Sequence, residues 1–264
     1  MKWAARKTGK AVSAGPGGVL TSFDDGMGSL IDALALRLGS SVVNNRRVAA
    51  IEKTNDKYTI HFNKDNPPEE ADIVVLAAPA HAAKDIVKGL DKGLSALLAE
   101  IPYPYVTVVS MAFKREAVKG NFDGFGFLVP YKEGRRILGT LCDSSIFEGR
   151  APEGYMLLRS MLGGARAEKI AALDDEKIID TVFSELSDII KVNGTPEMVK
   201  IYRHERAIPQ YNKGHAALVD SIGQSLKAHD RLYLHGNSYA GIGVNDCIET
   251  SYALSGSIMG KYRL

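Results

Sequence analysis

The sequence predicts an α+β protein, and three observations carry that expectation. The first hundred residues alternate helical, hairpin, strand and helical patterns. Between 101 and 163 a series of short apolar segments, each bounded by Gly, Pro or charged turns, reads as a meander of antiparallel strands. Two helical periodicities then follow one another, and a strand, a helix, a short strand and a last helix close the chain.

Taken in order, VLTSFDDGMGSLIDALALRLG carries Gly26 and Gly28 in a turn, then Leu30, Ile31, Leu34 and Leu38 at helical spacing and Gly39 as a stop. VVNNRRVAAIEKT and KYTIHFN are β-branched runs separated by Asn55 and Asp56, a hairpin pattern. ADIVVLAAPAHAAKDIV is a buried strand over 73–77 that turns through Pro79 into a helix. The prolines of IPYPYVTVVSMAF mark a joint before a strand. GFGFLVP (124–130), RRILGTLCDS (135–144) and YMLLRSMLG (155–163) are the further strands of the meander. ARAEKIAAL and DDEKIIDTVFSELSDIIKV are helices, the second with Ile178, Val182, Phe183, Leu186, Ile189 and Ile190 on one face. EMVKIYRHE is a strand, GHAALVDSIGQSLKA a helix, and RLYL the short strand before the last motif.

Bulk composition narrows the class. The chain has 264 residues, 45% hydrophobic and 24% charged, in the range of an ordinary folded protein. Lys plus Arg number 33 against 31 Asp plus Glu, a net charge of +2, so charge gives no case for nucleic acid as a partner. Cys142 and Cys247 lie far apart and outside any Cys/His ligand spacing, which predicts neither a disulfide framework nor a metal site. No apolar run reaches the ~18 residues of a membrane span. Residues 1–18 are basic and lack an apolar core, and read as an exposed linker. The expected location is the cytoplasm, with peripheral contact to a membrane as an open alternative.

The stretch HGNSYAGIGVNDCIE (235–249) follows an apolar strand and opens a helix. Free amides at a helix start suit anions and charge-accumulating carbonyl oxygens. The helix is expected to begin near Asn245, with Asp246 and Glu249 resembling a capping box and Ile248, Tyr252 and Met259 aligned on one face. GIGVND falls short of Gly-x-Gly-x-x-Gly because Asp246 stands at the third glycine. By itself the motif is equally an ordinary tight turn. No nucleophile triad is visible, and His204, His215 and His235 lack ligand spacing, so no catalytic side chain is assigned.

GNSYAGIGVNDCIE resembles the C-terminal flavin-contacting motif of protoporphyrinogen oxidases, members of the flavin amine oxidase superfamily. FDDGMGSLIDALALRLG, then GFGFLVP with LGTLCDSSIFEGRAPEG and LLRSMLGG, then YRHERAIPQYNKGH resemble the same family in the same order, from about Val19 to Gly260. The resemblance implies a partial FAD-binding domain built from discontinuous pieces plus an antiparallel-sheet substrate domain with helices. It implies a linker over 1–18, cofactor-domain pieces over 19–100 and 213–264, and the substrate domain over 101–212. Members begin with a strand, a Gly-x-Gly-x-x-Gly turn and a helix that hold the FAD pyrophosphate. The sequence lacks that pattern, so Met1 is expected to be an internal start and FAD to bind weakly or not at all until that N-terminal FAD-binding segment is supplied.

By the same resemblance Val48 meets the adenine end of FAD, Gly236 and Asn237 the pyrophosphate or ribityl chain, and Gly243, Val244, Asn245 and Asp246 the isoalloxazine ring. Core packing is the competing reading of Val48. The implied reaction is oxidation of a porphyrinogen, protoporphyrinogen IX or coproporphyrinogen III, to the porphyrin. Its carboxylates call for arginine, and Arg135, Arg136, Arg159 and Arg166 lie in the right region, of which Arg135 and Arg159 are the chosen candidates. Phe125 and Phe127 are expected to wall the macrocycle, and alternation makes them equally good core residues. A noncatalytic porphyrin-binding or assembly module, and a different member of the superfamily, are the rival readings.

Overall fold

The computed structural model describes residues 20–63, 66–119 and 124–263; the basic linker expected over 1–18 lies outside them. In chain order they form α1 (Gly28–Leu38), β1 (Val48–Thr54), β2 (Lys57–Phe62), β3 (Glu69–Ala71), β4 (Val74–Leu76), α2 (Ala80–Val87), α3 (Lys92–Ala99), β5 (Val106–Lys114) and β6 (Gly126–Leu128). There follow β7 (Gly139–Cys142), α4 (Asp143–Ile146), β8 (Tyr155–Gly163), α5 (Glu168–Ala171), α6 (Asp175–Ile190), β9 (Met198–His204), α7 (His215–Leu226), β10 (Leu232–Leu234) and α8 (Val244–Tyr262). Helix and sheet are mixed, and the two larger sheets are antiparallel.

The described residues divide into two compact units, 20–42 with 105–206, and 43–104 with 207–263. The sequence set its joints at 100/101 and 212/213 and grouped residues up to 42 with those that follow. Backbone pairing accounts for the shift at two joints. Ile101 is buried with the core of the second unit, Gln210 N donates to Pro102 O at 2.9 Å, and Ala207 N donates to Pro104 O at 3.0 Å. The outgoing and returning segments therefore stay paired within the second unit up to residues 104 and 207.

In the first unit five strands run in the order β6-β7-β8-β5-β9, all neighbours antiparallel. Alternation along a strand sends successive side chains to opposite faces. Val109, Met111 and Phe113 of β5 and Met156, Leu158 and Leu162 of β8 lie on one face and share a buried cluster with Ile178, Val182 and Leu186 of α6. That helix is started by Asp174, whose carboxylate accepts from Lys177 N at 2.9 Å, and stopped by Lys191 in the left-handed region. Its apolar face matches the periodicity read from the sequence. The other face of the sheet carries Val106, Val108, Ala112, Leu141, Leu157 and Met161, all half-buried. Residues 143 and 144, expected to end β7, instead open the single turn of α4.

The apolar stripe of α1 departs from the expectation for an amphipathic helix: Ile31, Leu34 and Leu38 are exposed, and no residue of α1 is buried.

The second unit joins a three-stranded antiparallel sheet, β1-β2-β3, to the parallel pair β4 and β10. Asn55, at φ 56°, and Asp56 close the tight β1–β2 hairpin, since a two-residue turn needs left-handed backbone that Asn tolerates. β3 was not foreseen: a three-residue strand of Glu, Glu and Ala carries no apolar alternation. Ile51, Tyr58, Leu76, Val87, Leu94, Leu98, Ile222 and Leu232 form one core beneath both sheets.

Candidate functional site

The glycine-rich stretch of the second unit leaves β10 at Leu234 and enters α8 at Val244. Gly236 has φ +121° and Gly241 φ +69°, backbone that a side chain disfavours, and a Cβ on Gly241 would lie 2.2 Å from Asp246 Cβ. The cap differs in detail from the expected Asp246–Glu249 box. Gly243 is the N-cap, and its amide donates to Asp246 Oδ2 at 3.0 Å. The first intrahelical bond runs from Cys247 N to Gly243 O at 3.1 Å. The amides of Val244, Asn245 and Asp246 therefore precede the hydrogen-bonded ladder, at the positive end of a 19-residue helix. Val244 is 53% exposed, and Ile248, Tyr252 and Met259 form an uncovered stripe behind it.

Tyrosines hold this loop in place, and none of them was singled out in the sequence. Tyr211 donates its hydroxyl to Asn237 O at 2.7 Å and stacks on His215 at 4.0 Å between ring centroids. Tyr103 and Ser238 share a 2.5 Å hydrogen bond, and both accept from Ala80 N, at 2.9 and 3.2 Å. The start of α2 is thus closed by side chains, whereas at the start of α8 no side chain among the described residues meets the amides of Val244, Asn245 or Asp246. The Tyr239 hydroxyl is buried and has no hydrogen-bond partner among the described residues. Burial pushes its phenol far above the usual value, and burial also raises Tyr211, so both stay protonated at neutral pH. Their shared signal was a tyrosine one to four residues from a Gly, Pro or Asn turn, too common to stand out.

Val48 begins β1 opposite Phe62, half-buried against the core of the second unit and on a different sheet from the glycine loop. Immediately ahead of it in the chain a cleft of about 620 Å³ is lined by Val43, Asn44, Asn45, Arg46, Arg47 and Asn63. Arg46 is committed there: its guanidinium sits 4.0 Å from the Phe62 ring centroid, pairs with Glu69 and donates to Pro67 O at 3.1 Å.

The four substrate candidates fall in different surroundings. Arg135 donates to Glu185 and Asp188 of α6, both at 3.2 Å, and these acids hold it fully protonated. Phe127 packs into the core beneath the same helix. Phe125 is 42% exposed, and its carbonyl accepts from Cys142 N at 2.9 Å. Arg159 lies on the sheet face turned away from α6, where Asp143 takes its Nε at 2.9 Å and its Nη2 at 2.8 Å. Among the described residues no three His, Cys, Asp or Glu side chains group as a metal site, and no helix is long and apolar enough to cross a membrane.

The second unit thus carries a parallel strand pair that leads through glycines into an open helix start, and the first unit an antiparallel sheet of five strands. The chain belongs to the flavin containing amine oxidoreductases, which it matches over residues 3–258. It is 30% identical over 249 residues to protoporphyrinogen oxidase 1, chloroplastic, of Arabidopsis thaliana, covering 89% of this chain and 46% of that protein. It is 26% identical over 248 residues to coproporphyrinogen III oxidase of Bacillus subtilis, covering 93% and 52%. It superposes on the crystal structure of "Putative protoporphyrinogen oxidase from Exiguobacterium sp. 255-15" with a TM-score of 0.82 and 25% identity, over 93% of this chain and 53% of that one. The chain thus spans about half the length of the curated relatives it matches. FAD is the cofactor the family implies.

Proposed function

We propose that this chain supplies the substrate-holding sheet and the flavin-ring contacts of an FAD-dependent porphyrinogen oxidase of heme biosynthesis, acting on protoporphyrinogen IX or coproporphyrinogen III. The observation that carries the reading is the open start of α8, three unladdered amides behind a positive-φ glycine turn, in a chain of this family. The residues fit the ring and ribityl end of a flavin. Gly236, without a side chain and at φ +121°, allows close approach, and Asn237 follows it in the turn as the other contact we assign there. The orphaned Tyr239 hydroxyl lies in the same loop, and the amides of Val244, Asn245 and Asp246 offer positive dipole to a ring carbonyl. Gly243 keeps its own amide on Asp246 and so sets the helix start rather than donating outward.

Val48, with the basic cleft just ahead of it, is our candidate for the adenine end. The phosphates need a further glycine turn, which we assign to an amino-terminal FAD-binding segment such as the longer relatives have room for. When bound, FAD provides the hydride acceptor for the six-electron oxidation, and oxygen or another acceptor takes the electrons onward. The protein's part is to hold and orient the macrocycle. On the face away from α6, Leu141, Leu157, Met161 and Val108 offer an apolar floor, and Phe125, exposed just ahead of β6, is our candidate for a wall beside the macrocycle. Arg159 is preferred to Arg135 as the carboxylate ligand, because Arg135 is already shared between two acids.

The test is reconstitution. The chain is purified with FAD, alone and co-expressed with the amino-terminal half of the Arabidopsis relative, and protoporphyrinogen IX is supplied while porphyrin fluorescence is followed. Little flavin absorbance alone, with colour and porphyrin formation on complementation, is the expected result. Complementation that yields neither flavin capture nor porphyrin overturns the reading; a complemented protein that binds porphyrin but captures no flavin and turns nothing over would favour a noncatalytic module.

A further inference from the structure

The sheet face turned away from α6 has a polar row between apolar ones, and strand register shows it. Leu141 lies opposite Arg159, Arg159 opposite Ser110, and Ser110 opposite Lys200, across β7, β8, β5 and β9. Directly opposed residues in antiparallel strands point to the same face. One adjacent row is Leu157, Ala112 and Met198; the other is Met161, Val108 and Tyr202. Arg159 and Lys200 are therefore two strand spacings apart, about 10 Å at ~4.8 Å each.

Both cations retain donors. Asp143 takes Nε and one Nη2 hydrogen of Arg159, which fixes the guanidinium plane and leaves Nη1 unengaged among the described residues, with the side chain 42% exposed. Lys200 has no carboxylate partner among the described residues; its ammonium rests 5.4 Å from the Tyr202 ring centroid. Between them Ser110 places a small hydroxyl in the row, 9% exposed.

We propose that Arg159, Ser110 and Lys200 form a two-point carboxylate grip. It takes the two propionates on one edge of the macrocycle and so selects a dicarboxylic porphyrinogen over a tetracarboxylic one. This rests on the porphyrinogen reading above, in which Arg159 alone was placed; Lys200, Ser110 and the discrimination are the addition. The physical reason is desolvation. A ligand with acids along one edge matches a single polar row, whereas further propionates on the opposite edge would be laid on Met161, Val108 and Leu157 or left to solvent at a cost in contact. A lysine on an edge strand also guards against strand-to-strand pairing, a role indifferent to ligand charge.

The experiment titrates the purified chain with protoporphyrin IX, its dimethyl ester and coproporphyrin III, following porphyrin fluorescence, for the parent and for Lys200→Gln and Lys200→Arg. The expected result is binding of protoporphyrin IX in preference to coproporphyrin III. Lys200→Gln should weaken protoporphyrin IX about tenfold, the scale of one charge-assisted hydrogen bond. The dimethyl ester should be unaffected and Lys200→Arg should retain parent affinity. If Lys200→Gln binds protoporphyrin IX as the parent does, or coproporphyrin III binds as tightly, the grip is overturned while the porphyrin reading stands. If the parent binds neither the diacid nor the ester, the porphyrin reading falls and takes the grip with it.

Discussion

His229 Nε2 lies 2.8 Å from Asp91 Oδ2, and the same carboxylate caps α3 through Leu94 N at 2.9 Å and accepts from Ser225 Oγ at 3.2 Å. One acid thus ties α3 to α7 and to the loop before β10. The His229 hydrogen bond first, and then the Leu94 amide, hold its pKa below the usual carboxylate value. A carboxyl depressed on folding stabilises at pH above its unfolded pKa, about 3.9, and that contribution is lost as pH falls through the lower folded value. Asp91→Ala should lower stability at pH 7 by about 1 kcal/mol, the worth of a cap, and flatten the acid limb of the stability profile. Urea unfolding across pH measures both; an unchanged acid limb would remove Asp91 from the account.

Glu185 is nearly buried on α6, and it accepts from Arg136 N at 3.0 Å, Arg136 Nε at 3.3 Å and Arg135 Nη1 at 3.2 Å. Glu185→Ala leaves the Arg136 amide without its acceptor and takes one acid from each of two guanidinium groups, Arg135 keeping Asp188, and should cost about 2 kcal/mol. Arg135→Ala leaves the backbone and Arg136 bonds in place and should cost less. It should also leave porphyrin affinity unchanged, which separates an arginine that braces a helix from one that meets ligand. A porphyrin titration showing loss on Arg135→Ala would return Arg135 to the substrate site.

Most of this architecture is written in local pattern. β8 spans the expected YMLLRSMLG without a residue's difference, and α6 carries its apolar face where periodicity puts it, because each is fixed by neighbours two to four residues away. Long-range pairing is less visible. The grouping of residues 20–42 with the five-stranded sheet includes Arg150, whose guanidinium donates to Asp24 O, Ser22 Oγ and Phe23 O from 126–128 positions away. The different surroundings of Arg135 and Arg159 were equally hidden, since they depend on strand register and on acids from elsewhere in the chain, Glu185 of α6 for one and Asp143 for the other. For the glycine loop the letters marked the turn, while its anchors, Tyr103, Tyr211 and Ser238, come from three separate segments.

The α1 and α8 stripes bear on solution behaviour. Ile31, Leu34, Leu36, Ile248, Tyr252 and Met259 are all exposed on helices with no buried residue. Isolated apolar stripes of this kind drive association. The purified chain should bind a hydrophobic dye and self-associate with rising concentration, and co-expression with the amino-terminal half of a relative should reduce dye binding. Sedimentation and dye fluorescence read this directly; a monodisperse chain without dye binding would mean that the stripes are tolerated as they stand.

Gly241→Ala is the sharpest single test of the loop. The added methyl would fall 2.2 Å from Asp246 Cβ, 2.7 Å from its Cγ and 2.9 Å from Oδ2, with the backbone at φ +69°. Asp246 must swing away, the bond from Gly243 N is lost, and the first turn of α8 shifts or frays. Strain at a left-handed residue and loss of a cap together should cost about 2–3 kcal/mol. Asp246→Ala removes the same bond without the clash, so it should cost only about 1 kcal/mol and leave the amides of Val244 and Asn245 where they are. In the complemented protein Asp246→Ala should therefore keep its flavin and Gly241→Ala should lose it, read from flavin absorbance after gel filtration. Equal retention by both variants would detach the start of α8 from the cofactor, because the variant that displaces those amides would then bind flavin as well as the variant that spares them.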